Sequence, residues 1–333
     1  MRWRSQAPAN SMILGEHSVV YGHPALACAL DQFITIEWQA RTDNLIQIES
    51  ALGNHTTDID QLSVHPNLKF ACLALRAFRN QLPHGLTLKI DSDFSSTIGL
   101  GSSAAVLAAM LSGLNAITNA QYSKIALFEI GHQIIIEIQG RGSGTDLAAS
   151  LSGGILYFEP ASSRDLTPSA VAKMVTLPVT LPIILMYAGY KTPTAEVLQW
   201  VAHQWQAKPD ALEQLYLAMG KLTRSAFQAL KEEDFPRFYQ QIEAYQQYMN
   251  TLGVNDEVLE QLIRQLSACP NIQAAKISGS GLGDCVLGLG SLDEASEETL
   301  SALEPYQKIM INMTKIGAYT QTLSALSTDS NRE

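Results

Sequence analysis

A chain of 333 residues exceeds what one hydrophobic core usually supports, so two domains or one large α/β unit is expected. Hydrophobic residues make up 46% and charged residues 16%, a globular composition and not a disordered one. The net charge of −10 argues against broad binding to nucleic acid or to anionic membranes. An anionic small molecule would then need local donors and a metal ion.

Cys28, Cys72, Cys269 and Cys285 share no CxxC spacing, which points to free thiols, with neither a zinc site nor a disulfide framework. No early apolar stretch reads as a signal peptide, and the apolar run after Ser103 is broken by Ser112, Gly113 and Asn115. A cytoplasmic protein with no membrane partner is expected.

In chain order, residues 12–14 read as a short buried strand and Gly15-Glu16-His17 as a tight turn that brings two polar side chains together. Residues 19–24 read as a second strand segment ending in a turn. Alternation over 33–38 and 45–49 predicts a hairpin around Arg41-Thr42-Asp43-Asn44. Leu68, Cys72, Leu75 and Phe78 then recur at helical spacing, and residues 86–90 form another strand.

The densest chemical signal is Gly99-Leu100-Gly101-Ser102-Ser103-Ala104-Ala105, which runs directly into a strong helix former. Glycines at a helix entrance allow close approach of a ligand, and the first-turn N–H groups with the helix dipole favour an anion. The serines add a cap and a hydroxyl able to reach a phosphate or a metal ion. On these residues alone a Gly-Ser turn capping a core helix remains the simpler alternative.

Residues 124–138 are apolar at helical spacing, and Gly140-Arg141-Gly142-Ser143-Gly144-Thr145-Asp146 would hold the Asp146 carboxylate on a tightly turned loop. A structural Asx-turn is the competing reading for Asp146. Residues 151–158 return as a strand, and the Ser-, Thr- and Pro-rich stretch 161–180 is the best domain junction. Beyond it lie a buried strand over 183–187 and amphipathic helices whose stripes (Leu212 to Ala226, Phe238 to Met249) are core packing. A second glycine-dense segment, Lys276-Ile277-Ser278-Gly279-Ser280-Gly281-Leu282-Gly283-Asp284-Cys285, leads into another strand. Since a strand follows it, this is no dinucleotide fingerprint, and no Gly-Lys-Ser or Gly-Lys-Thr ends a Walker loop anywhere.

Three segments in order, GEHSVVYGHPALA at 15–27, GLGSSAA at 99–105 and KISGSGLGDC at 276–285, together resemble the GHMP kinases. Within that family the first segment is most similar to the mevalonate kinases. The resemblance implies an α+β, two-domain fold: an N-terminal domain like ribosomal protein S5 over 1–175 and a ferredoxin-like C-terminal domain over 176–333. It places ATP and a small-molecule alcohol in the cleft between them. Gly99, Leu100, Gly101, Ser102, Ser103 and Ala104 would cradle the ATP phosphates, with Ser103 also a Mg²⁺ ligand. Asp146 would accept the proton of the substrate alcohol. Glu16 and His17 would lie near the substrate, and Ser280 and Gly281 would line its phosphate-accepting end. Family members are often dimers, so a homodimer is compatible.

The chain departs from the pattern in places. Mevalonate kinases usually carry a lysine where this chain has Asn10, which can hydrogen-bond an alcohol in the catalytic centre but brings no charge. Either Asp146 acts alone or another cation substitutes; Lys191 is a candidate, although a loop lysine is more often simply exposed. The usual loop proline is Ser95. The acidic partner of Ser103 on Mg²⁺ would fall near Ile135, which cannot ligate, so Glu137, or else Glu129, is expected to serve. The stretch 139–150 is somewhat more similar to phosphomevalonate kinases. Phosphorylation of mevalonate in isoprenoid biosynthesis is the leading expectation. A phosphomevalonate or sugar kinase is the alternative, and a ligand-binding regulator without turnover comes third.

Overall fold

The computed structural model describes residues 1–95, 99–161 and 172–323. The chain opens on two long antiparallel strands, β1 (Arg2–Leu14) and β2 (Ala25–Ala40). The first half of β1 alternates buried and accessible positions, as a strand with one solvated face should. From Ala7 to Ser11 it is buried on both faces, because it passes between two layers. The strand thus extends well beyond the expected residues 12–14. Residues 18–21 are a 3₁₀ turn and not a strand: Val19 N–H donates to Gly15 O, and Gly22 closes the turn in the left-handed region at φ 86°.

The expected hairpin between β2 and β3 (Leu45–Ser50) does not form. Instead β3 turns into β4 (Gly53–Asp58), and after helix α1 (Lys69–Ala77) strand β5 (Leu86–Ser92) inserts between β2 and β3. Gly85 is the wedge. Its N–H donates to Asp43 O, its carbonyl accepts from Arg41 N–H, and a β-carbon there would lie 2.4 Å from Leu45 O. Alternation specifies which side chains face the core but not which strand lies alongside.

Helix α2 (Ser102–Ile117) is apolar nearly all round, and its small residues let it sit in the middle of the first domain. It packs on β1, β2, α1, α3 (Lys124–Gln139) and α4 (Thr145–Ser152). A β-carbon on Gly113 would lie 2.4 Å from the Trp38 ring, so the helix rests directly on that indole, whose N–H donates to Ser5 Oγ. Residues 151–152 finish α4, and not a strand, because Gly153 and Gly154 both adopt positive φ before β6 (Ile155–Glu159) begins. Strand β6 pairs with β2 and with β7 (Lys173–Leu177).

The second domain starts with β8 (Ile183–Tyr187) and helices α5 (Thr194–Gln204), α6 (Pro209–Lys231), α7 (Phe235–Leu252) and α8 (Glu257–Ser267). It then adds β9 (Ile272–Ser278), β10 (Cys285–Gly290), α9 (Glu297–Leu303) and β11 (Gln307–Ile309). The strand order β11-β8-β10-β9 within a βαββαβ progression is the ferredoxin-like arrangement. The final strand β12 (Tyr319–Leu323) returns to pair with β1 in the first sheet. A division at 175/176 therefore falls inside β7, and the end of the chain contributes to the first domain; residues 162–171 of the expected junction lie outside the described residues. Apolar residues of β1 and β2, among them Ile13, Leu14, Leu26 and Leu30, join the core of α6, α7 and the second sheet, so the two domains share packing. All four cysteines are free and buried. Among the described residues no helix is long and apolar enough to cross a membrane.

Candidate active site

A cleft of about 690 Å³ opens where α2, α4, the turn after β1 and the β9–β10 loop converge, a size that suits a small ligand or nucleotide. The glycine-serine stretch forms one wall. Gly101 adopts φ 68° and precedes the first helical residue, Ser102, so only a residue free of a β-carbon turns the chain here without cost. Gly99, Gly101, Ser102, Ser103 and Ala104 line the cleft, and Ser103 is accessible from it. Leu100 is corrected: its side chain is fully buried in the core, and its carbonyl accepts a hydrogen bond from Asn10 N–H. It anchors the loop and does not line the cleft.

Asp146 lies in the first turn of α4, after Gly144 at φ 77°, and not in a loop. The helix dipole favours a carboxylate at that position. The side chain is open to the cleft, yet the surrounding protein strips enough water to raise its pKa above the ordinary aspartate value. Lys191 opposes that rise, while Asp284 and Glu16 add to it. Asn10 lines the same cleft but is nearly buried, with its Nδ2 donating to Ser150 Oγ at 3.0 Å.

Glu16 and His17 are not an exposed pair; each is only 4% accessible, and both line the cleft. Lys276, fully buried at the end of β9, donates to Glu16 Oε1 at 2.5 Å and to the Ile277 carbonyl. Burial pulls the Lys276 pKa down, and Glu16 opposes that pull. Among the described residues Glu16 Oε2 and His17 Nδ1 are buried without a partner. His17 sits at φ 61°, an uncommon backbone for a residue with a β-carbon, and its Nε2 is 2.8 Å from Ser280 O. Burial lowers its pKa, opposed by the Ser280 carbonyl and by Glu16. Ser280 lines the cleft; Gly281 is corrected, being buried against Val254, where a β-carbon would lie 2.4 Å from the carbonyl.

Glu137 is also corrected. It is exposed and outside the cleft, while Ile135 and Gln139 are the α3 residues lining it. The helical repeat explains this, since positions two apart lie on different faces. Asp284, which was not expected, and Lys191, the candidate substitute cation, complete the wall. Asp284 sits 8% accessible at φ 69°, and its Oδ2 lies 3.0 Å from Lys191 Nζ. Only the position of Asp284 inside the third glycine segment pointed toward it, and nothing local to residue 191 distinguishes that lysine from a surface one.

The cleft presents hard oxygen donors at Ser103, Asp146 and Asp284. Among the described residues no group of three or more His, Cys, Asp and Glu side chains is arranged to hold a metal by itself. That suits Mg²⁺ held with phosphate oxygens and water by few protein ligands, and does not suit an all-protein cage. Ser103 is the side-chain donor placed at the helix entrance.

A two-domain α+β fold, with a glycine-led helix entrance facing a carboxylate across a shared cleft, is the architecture of a small-molecule phosphotransferase. The family model for the GHMP kinases N terminal domain matches residues 68–154, and that for the GHMP kinases C terminal matches 226–307. The chain belongs to the GHMP kinases. It is 28% identical over 324 residues to a mevalonate kinase of Thermococcus sibiricus, covering 91% of this chain and 93% of that relative. Among solved structures it resembles the Lin0012 protein from Listeria innocua (TM-score 0.84, 17% identity, 96% of this chain and 99% of that one). It also resembles the Methanococcus jannaschii mevalonate kinase (TM-score 0.74, 21% identity, 93% and 98%).

Proposed function

We propose that this protein transfers the γ-phosphoryl group of ATP to the primary alcohol of mevalonate. The observation that supports it most directly is the pairing, in one cleft, of the Gly101–Ser103 helix entrance with the Asp146 carboxylate. Phosphoryl transfer asks the protein mainly to position an alcohol in line with the phosphate and to offset spreading charge. The first-turn N–H groups and the dipole of α2 draw the phosphates to that end of the helix. Mg²⁺, when bound beside the Ser103 hydroxyl, supplies further charge neutralisation.

Asp146 takes the proton of the alcohol as its oxygen attacks. A carboxylate whose pKa lies above the usual range is a better base than an ordinary aspartate, and Lys191 opposes the rise and so favours its ionised form. His17 and Glu16 line the cleft too, and each has a buried polar atom without a hydrogen-bond partner among the described residues. Their rigid backing by Lys276 and Ser280 suits a site that selects by hydrogen bonding.

Coupled ADP release tests the reading, with mevalonate, phosphomevalonate and a panel of small sugars as acceptors. Turnover on mevalonate is expected, reduced by about 10²–10⁴-fold in Asp146→Asn. Turnover only on phosphomevalonate would transfer the assignment to a substrate that engages the cleft cations Arg141 and Lys191. Binding of ATP with no turnover on any acceptor would leave a ligand-binding regulator.

A further inference from the structure

The charges lining the cleft are unevenly distributed. Glu16, Asp146 and Asp284 contribute carboxylates, while Arg141 and Lys191 contribute the permanent cations. Lys276 is buried outside the lining and consumed by Glu16. Arg141 donates to the Ala195 carbonyl and is exposed. Among the described residues that leaves Lys191 as the cation whose field reaches Asp146.

Lys191 is held by its neighbours as well as by its own side chain. Asp284 N–H donates to Tyr190 O at 2.8 Å, and Ala188 N–H donates to Asp284 O at 2.8 Å. On the other side Thr192 Oγ1 donates to Leu282 O at 2.7 Å, and Tyr190 Oη donates to Asp256 Oδ2 at 2.5 Å. Residues 188, 190 and 192 are thereby tied to Leu282 and Asp284 of the third glycine segment, and Tyr190 also to Asp256 at the start of α8. Lys191 Nζ lies 3.0 Å from Asp284 Oδ2 and its side chain is 36% accessible, open to the cleft. The Asp284 carboxylate in turn occupies the space where a β-carbon on Gly99 would stand, 2.3 Å from each oxygen. A carboxylate thus locks the lysine to the phosphate-binding loop.

We propose that Lys191 is a catalytic residue whose ammonium group, positioned by Asp284, contacts the alcohol oxygen and the transferring phosphoryl group. This rests on the phosphotransferase reading given above. In the step, the alcohol O–H proton passes to the Asp146 carboxylate and the oxygen forms a bond to the γ-phosphorus. The bond to the β-phosphate oxygen breaks, and its electron pair leaves with ADP. Lys191 keeps its protons throughout and offsets negative charge that develops between Asp146 and the phosphoryl oxygens. Such preorganised donors act most strongly where charge builds up in the transition state and less on bound substrate.

The test uses the full chain and the acceptor that the wild type turns over. Lys191→Ala is expected to lose about 10²-fold or more in kcat with ADP affinity within about threefold of wild type, the magnitude of removing one transition-state donor. Methylammonium added to Lys191→Ala is expected to restore activity in a saturable way, while tetramethylammonium at equal ionic strength does not. Asp284→Asn, which frees the lysine without removing it, is expected to lower kcat less than Lys191→Ala and to raise KM for the acceptor; Asp284→Glu recovers part of the loss. A kcat for Lys191→Ala within threefold of wild type overturns the proposal. A large loss that no amine rescues, with ADP affinity also lost, overturns it too, since that pattern marks a structural lysine. Wild-type inactivity on every acceptor removes the underlying reading and this one with it, an outcome distinct from wild-type turnover with an unaffected variant.

Discussion

The side-chain amide of Asn10 occupies the space that a β-carbon on Gly101 would need: such an atom would stand 2.2 Å from Nδ2 and 2.5 Å from Oδ1. The same asparagine donates through Nδ2 to Ser150 Oγ, whose hydroxyl donates to the Pro8 carbonyl, and its N–H donates to Leu100 O. Strand β1, helix α4 and the loop before α2 therefore meet at one buried amide. Gly101 is required by the protein's own packing as much as by any ligand.

Gly101→Ala combines that collision with a left-handed backbone at φ 68°. The backbone conformation alone costs roughly 1–2 kcal/mol for a residue with a β-carbon. The variant is expected to unfold at lower urea and to show a raised KM for ATP, because relief of the clash moves the loop. Denaturation curves and ATP titration of the initial rate check both.

The ion pair of Lys276 and Glu16 joins β9 of the second domain to the turn after β1 of the first, with both side chains essentially buried. Lys276→Met leaves a buried carboxylate without its partner and is expected to cost about 3–5 kcal/mol of stability. Pairing it with Glu16→Gln should recover much of that loss, since no buried charge then remains. A double-mutant cycle by urea denaturation reads the coupling.

Asp146 is held above the usual aspartate pKa by the protein packed around it, with Lys191 pulling the other way. As the base it must be ionised, so activity falls as pH drops through its raised pKa. The acid limb of kcat/KM is expected at higher pH than an ordinary aspartate would give. In Lys191→Met that limb is expected to move to higher pH still, because the opposing charge is gone. A pH–rate profile of both proteins measures the direction.

The fold was legible where local chemistry sets structure: the apolar helix after Ser103, the two amphipathic helices that carry Leu212 to Ala226 and Phe238 to Met249, and the strand at 183–187 follow from composition and periodicity, although Gly101 and not a serine side chain caps the first of them. Misread elements were settled by distant partners. Nothing near residue 45 announces that Gly85 will wedge a strand between β2 and β3. Leu100 and Gly281 were drawn into the expected site by motif position, whereas their neighbours point the loops at the cleft and these two anchor them. Lys191 was indistinguishable from a surface lysine because its environment is made by Asp284, more than ninety positions later.

His17 has its pKa lowered by burial, below the 6.5 of a free imidazole. Below pH 6.5 the unfolded chain binds a proton that the folded one refuses, so stability falls with pH through that window until the folded pKa is reached. His17→Asn is expected to flatten this part of the profile. Denaturation midpoints of both proteins between pH 7 and 5 check the slope, and a wild-type slope matched by the variant would contradict it.

Phosphorus NMR of a reaction containing ATP, Mg²⁺, mevalonate and the wild-type protein is the most direct measurement. A new phosphomonoester resonance that grows in step with ADP, and is absent with Asp146→Asn, is the expected result. A mixture in which ATP persists with mevalonate, while phosphomevalonate yields a diphosphate signal, would contradict the assignment of the alcohol as the acceptor.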